Sequence, residues 1–372
     1  MRTKSSDRLL ASMARDPGGS EQGCNGQSAA SRFLAWSLAV FTISFALVWI
    51  YVAAMPMAFL SRDYPLWIAK RTMLDECRLG SVAVFGDSRT LAGTVPSLLP
   101  VPVTNFAMSG TSPIETFFAV QRALRCPNPP KLVVIAHGAM KFMSDSDYWN
   151  FSARTGFLDY SDMRAVDRDA ARLGDDEIAA LRHGDQLSPV LREALFAMRF
   201  PPFYFDSLVN GFILGRWRHN LSAMHAALLS SGHALFGAAN GSSEVTSEAL
   251  ATTYATSPLI DLYFSRTIAL LAQRGVPVIV LSMPMNRATY ERMRPSVSGA
   301  FAAYLQEKSK QFSNLRIVGP TAPCWPDRFF GDAWHFNADG AAAFSAELGG
   351  LLRDLLAGAD VRELPDRCTL TG

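Results

Sequence analysis

One stretch near the start of the chain carries no charged residue over 23 positions. It runs from Phe33 to Met55 and reads FLAWSLAVFTISFALVWIYVAAM. A helix of roughly 20 apolar residues crosses the hydrocarbon core of a membrane. Trp36, Trp49 and Tyr51 lie toward the two ends of the run, where aromatic side chains meet lipid headgroups. The run therefore predicts a transmembrane helix at 33–55, and no later segment of the sequence matches it.

Two other structures are compatible with such a run, a cleaved signal peptide and a buried core helix. The apolar region of a signal peptide is about 7–15 residues long and follows a short N-terminal region. Here the run is longer and 32 residues precede it, so we expect an uncleaved, single-pass anchor. Residues 1–32 are rich in Ser, Gly and charge and predict a disordered tail.

Basic residues give little information on the orientation of this span. Five Lys or Arg residues lie in 1–32 and four in 56–80, so the positive-inside rule has almost no difference to act on. The short polar tail favours a cytoplasmic N-terminus. We therefore expect the main domain outside the inner (cytoplasmic) membrane, in the periplasm or another extracytoplasmic space.

Cysteine and charge content narrow the class of protein further. Four cysteines follow the span, and in an oxidising compartment they would form two disulfides. Three pairings of the four are possible. The alternative is that these cysteines are unpaired and act as small apolar residues. The set is Cys77, Cys126, Cys324 and Cys368, and Cys24 precedes the span. Their spacing is not that of a zinc site, and we expect no metal or cofactor. A formal net charge of +2 with 18% charged residues excludes a general nucleic-acid-binding surface.

After a connector at 56–80, short apolar runs alternate with helical patterns over residues 81–360. Helices are predicted to begin at Ser112-Pro113, at Ser257-Pro258 and after Asn337, because each pair or cap is typical of a helix start. The alternation predicts an α/β domain with a parallel sheet covered on both faces. The predicted strands are Val82–Phe85, Val103–Ala107, Leu132–Ala136, Val276–Leu281 and Leu315–Val318.

Residues 142–255 interrupt this alternation and are too many for a plain loop, so they predict an inserted helical subdomain. Helical patterns lie near Asp175–His183, Pro189–Met198 and Asp206–Leu235. The aromatic stretch Phe200–Phe205 is compatible with core, with a membrane-facing surface or with a partner site. Residues 361–372 form a C-terminal tail.

Polar residues follow three of the predicted strands directly. Gly86-Asp87-Ser88-Arg89 follows the first strand, Ser109-Gly110 the second and His137-Gly138 the third. Ligands of parallel sheets bind at the carboxyl ends of the strands, so these residues are expected to gather at one edge. Ser88 is therefore either a nucleophile or an ordinary turn serine.

A base for such a nucleophile lies near the C-terminus, in the stretch GDAWHFNADG. Asp332 and His335 are three residues apart, a spacing that places two side chains on one face of a turn. A carboxylate there fixes the imidazole tautomer and stabilises the imidazolium that forms when the serine loses its proton. Thr90 occupies the position of the second glycine in a G-x-S-x-G elbow, which argues against an ordinary α/β-hydrolase.

These motifs resemble those of the SGNH (GDSL-like) hydrolase superfamily, over about 81–140 and 257–357. GDSR is similar to the first block of that family, AMSG to the second and DAWHFNADG to the last. The resemblance implies a three-layer α/β/α flavodoxin-like fold, a catalytic triad of Ser88, Asp332 and His335, and an oxyanion hole formed by the amides of Ser88 and Gly110.

The third block departs from the family pattern Gly-x-Asn-Asp. The chain reads AHGAMKF, so Met140 stands where the family has the asparagine that binds the oxyanion. His137, Lys141 and Arg89 are the candidates to bind the oxyanion or the substrate instead. Loss of an oxyanion donor costs about 10²–10³ in rate, so a non-catalytic domain is the alternative that this departure leaves open.

An anchor joined to an SGNH-like domain also resembles the bacterial proteins of alginate acetylation and teichoic acid D-alanylation. That resemblance implies that Ser88 accepts an acyl group and passes it to a polysaccharide hydroxyl, beside a multi-span membrane O-acyltransferase. An esterase and a glycan-binding or scaffold subunit are the other functions considered. Trp149, Trp325 and Trp334 are expected either to stack on sugars or to lie in the core.

Overall fold

The computed structural model describes residues 22–61, 63–179, 187–359 and 364–368, with the side chains of 22–28 left aside. Most of the predicted N-terminal tail, residues 1–21, lies outside this part of the chain. Two compact units divide the chain between Ala54 and Met55.

The first unit contains one long helix, α1, Gln22–Ala54. Its segment Ala29–Ala54 is long and apolar enough to cross a membrane, and it contains nearly all of the predicted span. Most of the large apolar side chains described in this helix are exposed, for example Phe33 at 70% and Trp36 at 73%. An apolar helix of the expected length is therefore present.

The second unit is built on a parallel sheet of five strands in the order β2-β1-β3-β4-β6. The longest pairing joins β1 to β3 over five residues each, Val82–Gly86 and Leu132–Ala136. A separate parallel pair is formed by β5 and β7. The remaining strands are β2 Val103–Asn105, β4 Val278–Val280, β5 Met285–Asn286, β6 Leu315–Ile317 and β7 Cys324–Trp325.

The helices of this unit lie between the strands and in the insertion. Those associated with the strands are α2 Tyr64–Asp75, α3 Ser88–Gly93, α4 Pro113–Ala123, α5 Met140–Met143, α10 Pro258–Gln273, α11 Arg287–Tyr290, α12 Pro295–Gln311 and α13 Ala338–Leu356. Those of the insertion are α6 Tyr160–Leu173, α7 Pro189–Ala197, α8 Phe205–Leu214 and α9 Arg216–Leu229. Short 3-10 turns add Pro56–Ala58, Pro96–Leu98, Pro201–Tyr204, Ser247–Leu250 and Asp327–Phe329, and a π turn adds Trp149–Ala153.

Both faces of the sheet are buried, since successive strand residues point to opposite sides. Ala83 and Phe85 of β1 belong to the same buried cluster as apolar residues of α4, α10 and α12. Val82 and Val84 belong to a second cluster with Phe344 and other residues of α13. The predicted mixed α/β domain with a parallel sheet is therefore confirmed.

The predicted helix starts are confirmed at the level of individual hydrogen bonds. Ser112 caps α4 in a capping box with Glu115, whose carboxylate accepts the Ser112 amide at 2.8 Å. The hydroxyl of Ser257 accepts the amide of Ile260 at the start of α10. Asn337 caps α13 through the amide of Gly340, at 2.9 Å.

The insertion is helical, but its first predicted helix is wrong. Residues 160–173 form α6, and Gly174 ends it in a left-handed conformation with φ 69°. Asp175 then accepts the amide of Ile178 in a side-chain turn, so 175–179 are not helical. The rest of the predicted helix, 180–183, lies outside the described residues. The pattern at 206–235 corresponds to α8 and α9, which are separated by Gly215.

Two disulfides select one of the three pairings that the sequence left open. Cys77 is bonded to Cys126 and Cys324 to Cys368, with Cα–Cα distances of 5.5 Å and 5.3 Å. The first joins the chain just after α2 to the end of α4. Trp67 of α2 is fully buried in the core, so the predicted connector at 56–80 contributes to the compact unit.

Candidate active site

The turn between β1 and α3 presents Ser88 at the carboxyl edge of the sheet. Gly86 ends β1, where a Cβ would approach the carbonyl oxygen of Ala136 to 2.5 Å, so only glycine fits beside β3. Asp87 caps α3 and accepts the amide of Arg89 at 3.0 Å. This cap fixes Ser88 as the first residue of the helix, half-buried and facing a pocket.

Ser88, His335 and Asp332 form a connected hydrogen-bonded row. The Nε2 atom of His335 lies 2.8 Å from the Oγ atom of Ser88. Its Nδ1 atom lies 2.8 Å from Oδ2 and 3.0 Å from Oδ1 of Asp332. A carboxylate only accepts hydrogen bonds, so Nδ1 carries the imidazole proton and Nε2 is free to accept the serine proton.

The Asp332 carboxylate is held and kept ionised by its neighbours. Its Oδ1 atom also accepts the amides of Trp334 and His335, both at 2.8 Å. Burial alone would raise the pKa of Asp332, but the hydrogen bond and charge of His335 together with these two amides lower it below its ordinary value. Asp332 is therefore a fixed negative charge behind the imidazole.

Residues of the insertion support the loop that carries Asp332 and His335. The ring of Phe236 packs on the imidazole of His335, with 4.8 Å between centroids. Gly237 lies against Gly331, and a Cβ on Gly237 would approach the Gly331 backbone to 2.5 Å. The loop closes on itself through the Gly331 amide, which donates to the His335 carbonyl at 2.8 Å.

The pocket in front of Ser88 has a volume of about 320 Å³. It brings together five residues singled out in the sequence, namely Ser88, Arg89, Gly110, Lys141 and His335. Its other lining residues are mostly polar: Asp87, Met140, Ser144, Ser146, Asp147, Ser247, Glu248 and Trp334. The three strand ends and the C-terminal motif therefore meet at one edge of the sheet, as the alternation predicts.

Gly110 has a backbone conformation that suits an amide donor. Its φ of 75° lies in the left-handed region, and a Cβ there would lie 2.9 Å from the ring of Phe151. Among the described residues, no oxygen accepts a hydrogen bond from the amide of Gly110 or of Ser88. Two backbone donors at the pocket are thus available to an incoming oxygen atom.

The residues of the third block, which departs from the family pattern, lie in different places. Met140 lines the pocket, but its thioether has no hydrogen to donate. Lys141 also lines it and donates to the Gly110 carbonyl at 3.2 Å and to Asp147 at 2.8 Å. Burial would lower the pKa of Lys141, but Asp145 and Asp147 outweigh it and raise the pKa, so the ammonium stays charged.

His137 does not line this pocket. Its ring is fully buried, and Nε2 lies 2.8 Å from the hydroxyl of Thr116. Burial lowers the pKa of His137 from 6.5 to about 4, so the ring is neutral near pH 7. Of the two third-block candidates, only Lys141 therefore faces the site.

A buried ion-pair network forms one wall of the pocket. The Arg89 guanidinium contacts both carboxylate oxygens of Glu248, at 3.0 Å and 3.1 Å, and Asp87 at 3.1 Å. Burial would raise the pKa of Asp87, but Arg89 outweighs it and lowers it to about 2. Glu248 comes from the insertion, and its position 159 residues from Arg89 left no local signal in the sequence.

The three tryptophans considered for sugar stacking differ in their exposure. Trp325 and Trp149 are only 1% and 8% exposed and belong to the buried clusters. Trp334 lines the pocket, with the guanidinium carbon of Arg89 at 5.7 Å from its ring. A planar aromatic surface is therefore present beside the hydroxyl of Ser88.

The arrangement supplies the groups that acyl transfer requires. A hydroxyl contacts an oriented imidazole, a carboxylate fixes that imidazole, and Ser88 and Gly110, whose amides donate to no described oxygen, line the same pocket. Asp366 lies beside Cys324 and Cys368, but disulfide sulfur atoms have no thiolate to offer a metal ion. No protein-family model matches this chain, and no curated protein matches it in sequence.

Proposed function

We propose that the chain is a membrane-anchored SGNH-type serine enzyme that forms and breaks acyl esters. The proposed substrate is an exported polysaccharide, and the reaction is O-acyl transfer or ester hydrolysis. The observation that carries this proposal is the position of His335, 2.8 Å from Ser88 and 2.8 Å from Asp332. Ser88 is distant in the sequence from the other two residues, yet the three lie in the spatial order nucleophile, base and orienting carboxylate.

The strand order supports a flavodoxin-like, three-layer α/β/α arrangement for this domain. The sheet order β2-β1-β3-β4-β6 corresponds to the doubly wound order in which the first strand lies beside the second and third. Helices cover both faces, and the pocket lies at the carboxyl ends of the strands, where such folds bind ligands.

In the first proposed half-reaction, Ser88 Oγ attacks the carbonyl carbon of an acyl donor while its proton passes to His335 Nε2. The negative charge on the carbonyl oxygen is accepted by the amides of Ser88 and Gly110. Lys141 lies beside Gly110 and adds a positive charge at this side of the pocket. The intermediate then releases the donor alcohol, which takes the proton from His335, and leaves an ester on Ser88.

In the second half-reaction, a hydroxyl of the acceptor gives its proton to His335 and attacks the ester carbon. Ser88 leaves and recovers the proton from His335. A sugar hydroxyl gives transfer, and water gives hydrolysis. Trp334 offers a face on which a sugar ring stacks, and the hydroxyls of Ser144, Ser146 and Ser247 line the same pocket.

An extracytoplasmic location and a membrane partner complete the proposal. Disulfides persist in oxidising compartments, and this chain holds two in its main unit. The apolar helix at Ala29–Ala54 would anchor the enzyme to the inner membrane. A multi-span membrane O-acyltransferase is the proposed source of the acyl group.

Labelling with a fluorophosphonate tests the nucleophile. The purified full chain should react, and Ser88→Ala and His335→Ala should both abolish the reaction. Ser146→Ala is the matched control, since no hydrogen bond joins Ser146 to a histidine among the described residues; it should still be labelled. Labelling of the Ser88→Ala protein at the wild-type rate would reject the proposal.

The second candidate is a non-catalytic glycan-binding or scaffold subunit of a membrane O-acyltransferase. Met140 favours it, because this side chain stands in the pocket without a donor for the oxyanion. That function predicts saccharide binding that survives Ser88→Ala together with no acyl chemistry by the wild-type protein. Labelling of the wild type combined with turnover would exclude it.

A further inference from the structure

One helix of the insertion has an apolar face that the described residues of the main unit leave exposed. On α8, the exposed fractions are 64% for Phe205, 44% for Val209, 89% for Phe212 and 73% for Ile213. At 3.6 residues per turn these four side chains lie within an arc of about 100°. Isolated exposed apolar residues are common, but a continuous stripe on one helix indicates an interaction surface.

The other side of α8 is fixed to the chain that directly follows the apolar helix α1. Gly211 packs so closely on Phe59 that a Cβ would lie 2.3 Å from the Phe59 Cα atom. Arg216 donates to the Phe59 carbonyl at 2.7 Å, and Asn220 donates to the carbonyls of Met57 and Leu60, both at 2.9 Å. The α8–α9 hairpin is therefore held to residues 57–60.

The short covalent connection limits how far Phe59 can lie from the end of the apolar helix. Phe59 is five residues after Ala54, and five extended residues span at most about 18 Å. If α1 crosses a bilayer, α8 is bound to a segment that leaves it only a few residues later. A face tethered in this way meets the membrane interface at high local concentration.

Residues at the end of α8 complete the pattern of an interfacial helix. Trp217 is 41% exposed, and Arg218 and His219 follow it on the surface of α9. Indole rings prefer the headgroup level, and basic side chains are attracted to anionic lipids. An apolar face with aromatic and basic residues at its edge is typical of a helix that lies in the plane of the interface.

We propose that α8 and the start of α9 lie in the lipid interface, with the apolar face of α8 inserted among the headgroups and upper acyl chains. The proposal rests on the membrane anchoring by α1 that is part of the proposed function. It gives the enzyme a second attachment to the membrane, which limits its rotation about the anchor and so fixes the height and direction of the pocket.

Depth-dependent quenching in vesicles tests this placement. The full chain carries Cys24→Ser and one new cysteine bearing a nitrobenzoxadiazole fluorophore. It is placed in vesicles of phosphatidylcholine and phosphatidylglycerol that carry a spin label either near the headgroup or deep in the acyl chains. Phe212→Cys probes the face, Phe41→Cys probes the anchor, and Leu98→Cys, at a site 53% exposed elsewhere, is the matched control. We expect the headgroup label to quench strongly at 212, the deep label to quench strongly at 41, and neither label to quench at 98.

The outcomes separate this proposal from the anchoring on which it rests. Quenching at 41 without quenching at 212 overturns the interfacial helix and leaves the anchor intact. Absence of quenching at both 41 and 212 rejects the anchor and this proposal together. A response at 212 that requires a second membrane protein in the vesicles identifies a protein as the occupant and also overturns the proposal.

A charged variant provides a second, independent readout. Phe212→Glu with Ile213→Glu should abolish quenching of a fluorophore at Val209→Cys, because two carboxylates oppose insertion. Both side chains are largely exposed, so the melting temperature should not change. The matched variant Phe212→Leu with Ile213→Leu should retain quenching, and equal quenching in the charged and apolar variants would contradict the proposal.

Discussion

At the scale of single residues, the candidate chemistry depends on how Asp332 holds His335. The carboxylate accepts from the imidazole and from two backbone amides, so its orientation is determined by the turn itself. The turn brings the pair together over three residues, whereas Ser88 is 247 residues away from His335. The local sequence is enough to bring Asp332 and His335 together, whereas the contact between Ser88 and His335 requires the folded sheet.

Asp332→Asn should reduce acyl turnover by about 10⁴ without unfolding the protein. The amide of asparagine presents a donor to His335, which favours the tautomer that cannot accept the serine proton. Steady-state hydrolysis of a chromogenic acetyl ester, with the melting temperature as the check on folding, measures the effect. Asp339→Asn, at an exposed position on α13, is the control and should keep wild-type turnover.

His137 makes the stability of the protein depend on pH. Burial lowers its pKa from 6.5 to about 4, so between these values the unfolded chain binds a proton that the folded protein does not. The contribution of His137 to the free energy of unfolding should therefore rise with pH across this window, by about 3 kcal/mol, and level off above it. Glu193, whose pKa burial raises to about 7, contributes a slope of opposite sign, so urea unfolding is compared between the wild type and a His137 variant at several pH values.

His137→Gln should lower the slope of the free energy of unfolding with pH relative to the wild type, while His219→Gln, at an exposed histidine, should keep the wild-type slope. Glutamine retains a group that can hydrogen-bond to Thr116, so the variant keeps the contact and removes the titration. A slope that is unchanged in His137→Gln would show that another group is responsible for the pH dependence.

At the scale of elements, the insertion contributes to the site as much as the sheet does. Phe236 packs on His335, Gly237 packs on Gly331, and Glu248 binds Arg89. The end of β1 supplies Ser88 and the C-terminal loop supplies Asp332 and His335, while the insertion packs on that loop and binds Arg89 beside Ser88. Changes in the insertion should therefore alter activity without touching the hydroxyl or the imidazole.

Gly237→Ala should lower turnover, because the added Cβ would approach the Gly331 backbone to 2.5 Å and displace the loop that carries Asp332 and His335. Displacements near 1 Å at an active site cost about 10² in rate. Gly299→Ala is the matched control: no atom lies near its Cβ position on α12, so the free energy of unfolding should rise by about 0.5–1 kcal/mol with unchanged turnover. Equal turnover in both variants would contradict this role.

The sequence predicted elements wherever local signals were strong. The Ser-Pro pairs at Ser112 and Ser257 and the cap at Asn337 mark three helix starts, and each hydrogen bond is present. β3 was predicted to the residue because all five of its side chains are apolar. In contrast, α6 was missed although Met163, Val166 and Ala170 recur at helical spacing on its buried face, because polar residues dominate the segment.

The site residues, too, were predictable only where the local sequence carried a strong signal. Asp332 and His335 lie in one motif, and Ser88 follows a strand, so residue type and position were enough to single them out. Glu248 could not be found, because its role arises only from its contact with Arg89 across 159 residues. Burial also decided between His137 and Lys141, and no local pattern distinguished a side chain bound to Thr116 from one that faces a pocket.

At the scale of the whole molecule, the apolar helix and the α/β unit differ in how much apolar surface they expose. The helix exposes large side chains such as Phe41, at 68%, along its length, whereas most large apolar side chains of the main unit are buried in its core. Large exposed apolar surfaces are rare on proteins that remain in water. A lipid bilayer is the solvent that suits such a helix.

Charges in the centre of the apolar helix should release the protein from membranes. Phe41→Arg with Phe45→Arg adds about 3 kcal/mol per residue to the cost of insertion. The wild-type chain should stay in the membrane pellet after alkaline carbonate extraction, and the charged variant should move to the supernatant. Phe41→Leu with Phe45→Leu is the control and should stay in the pellet. Extraction of the wild type by carbonate would contradict a spanning helix.

The ion pair between Arg89 and Glu248 should form late in folding, as should the contact of Ser88 with His335 across 247 residues. The two residues of the ion pair close a loop of 159 positions, whereas β1 and β3 pair across about 50. Loop closure costs entropy that grows with length, and contacts of high sequence separation form late. On refolding, the sheet should regain its circular dichroism before Ser88 regains its reactivity, so that reactivity reports completed folding rather than the presence of the triad alone.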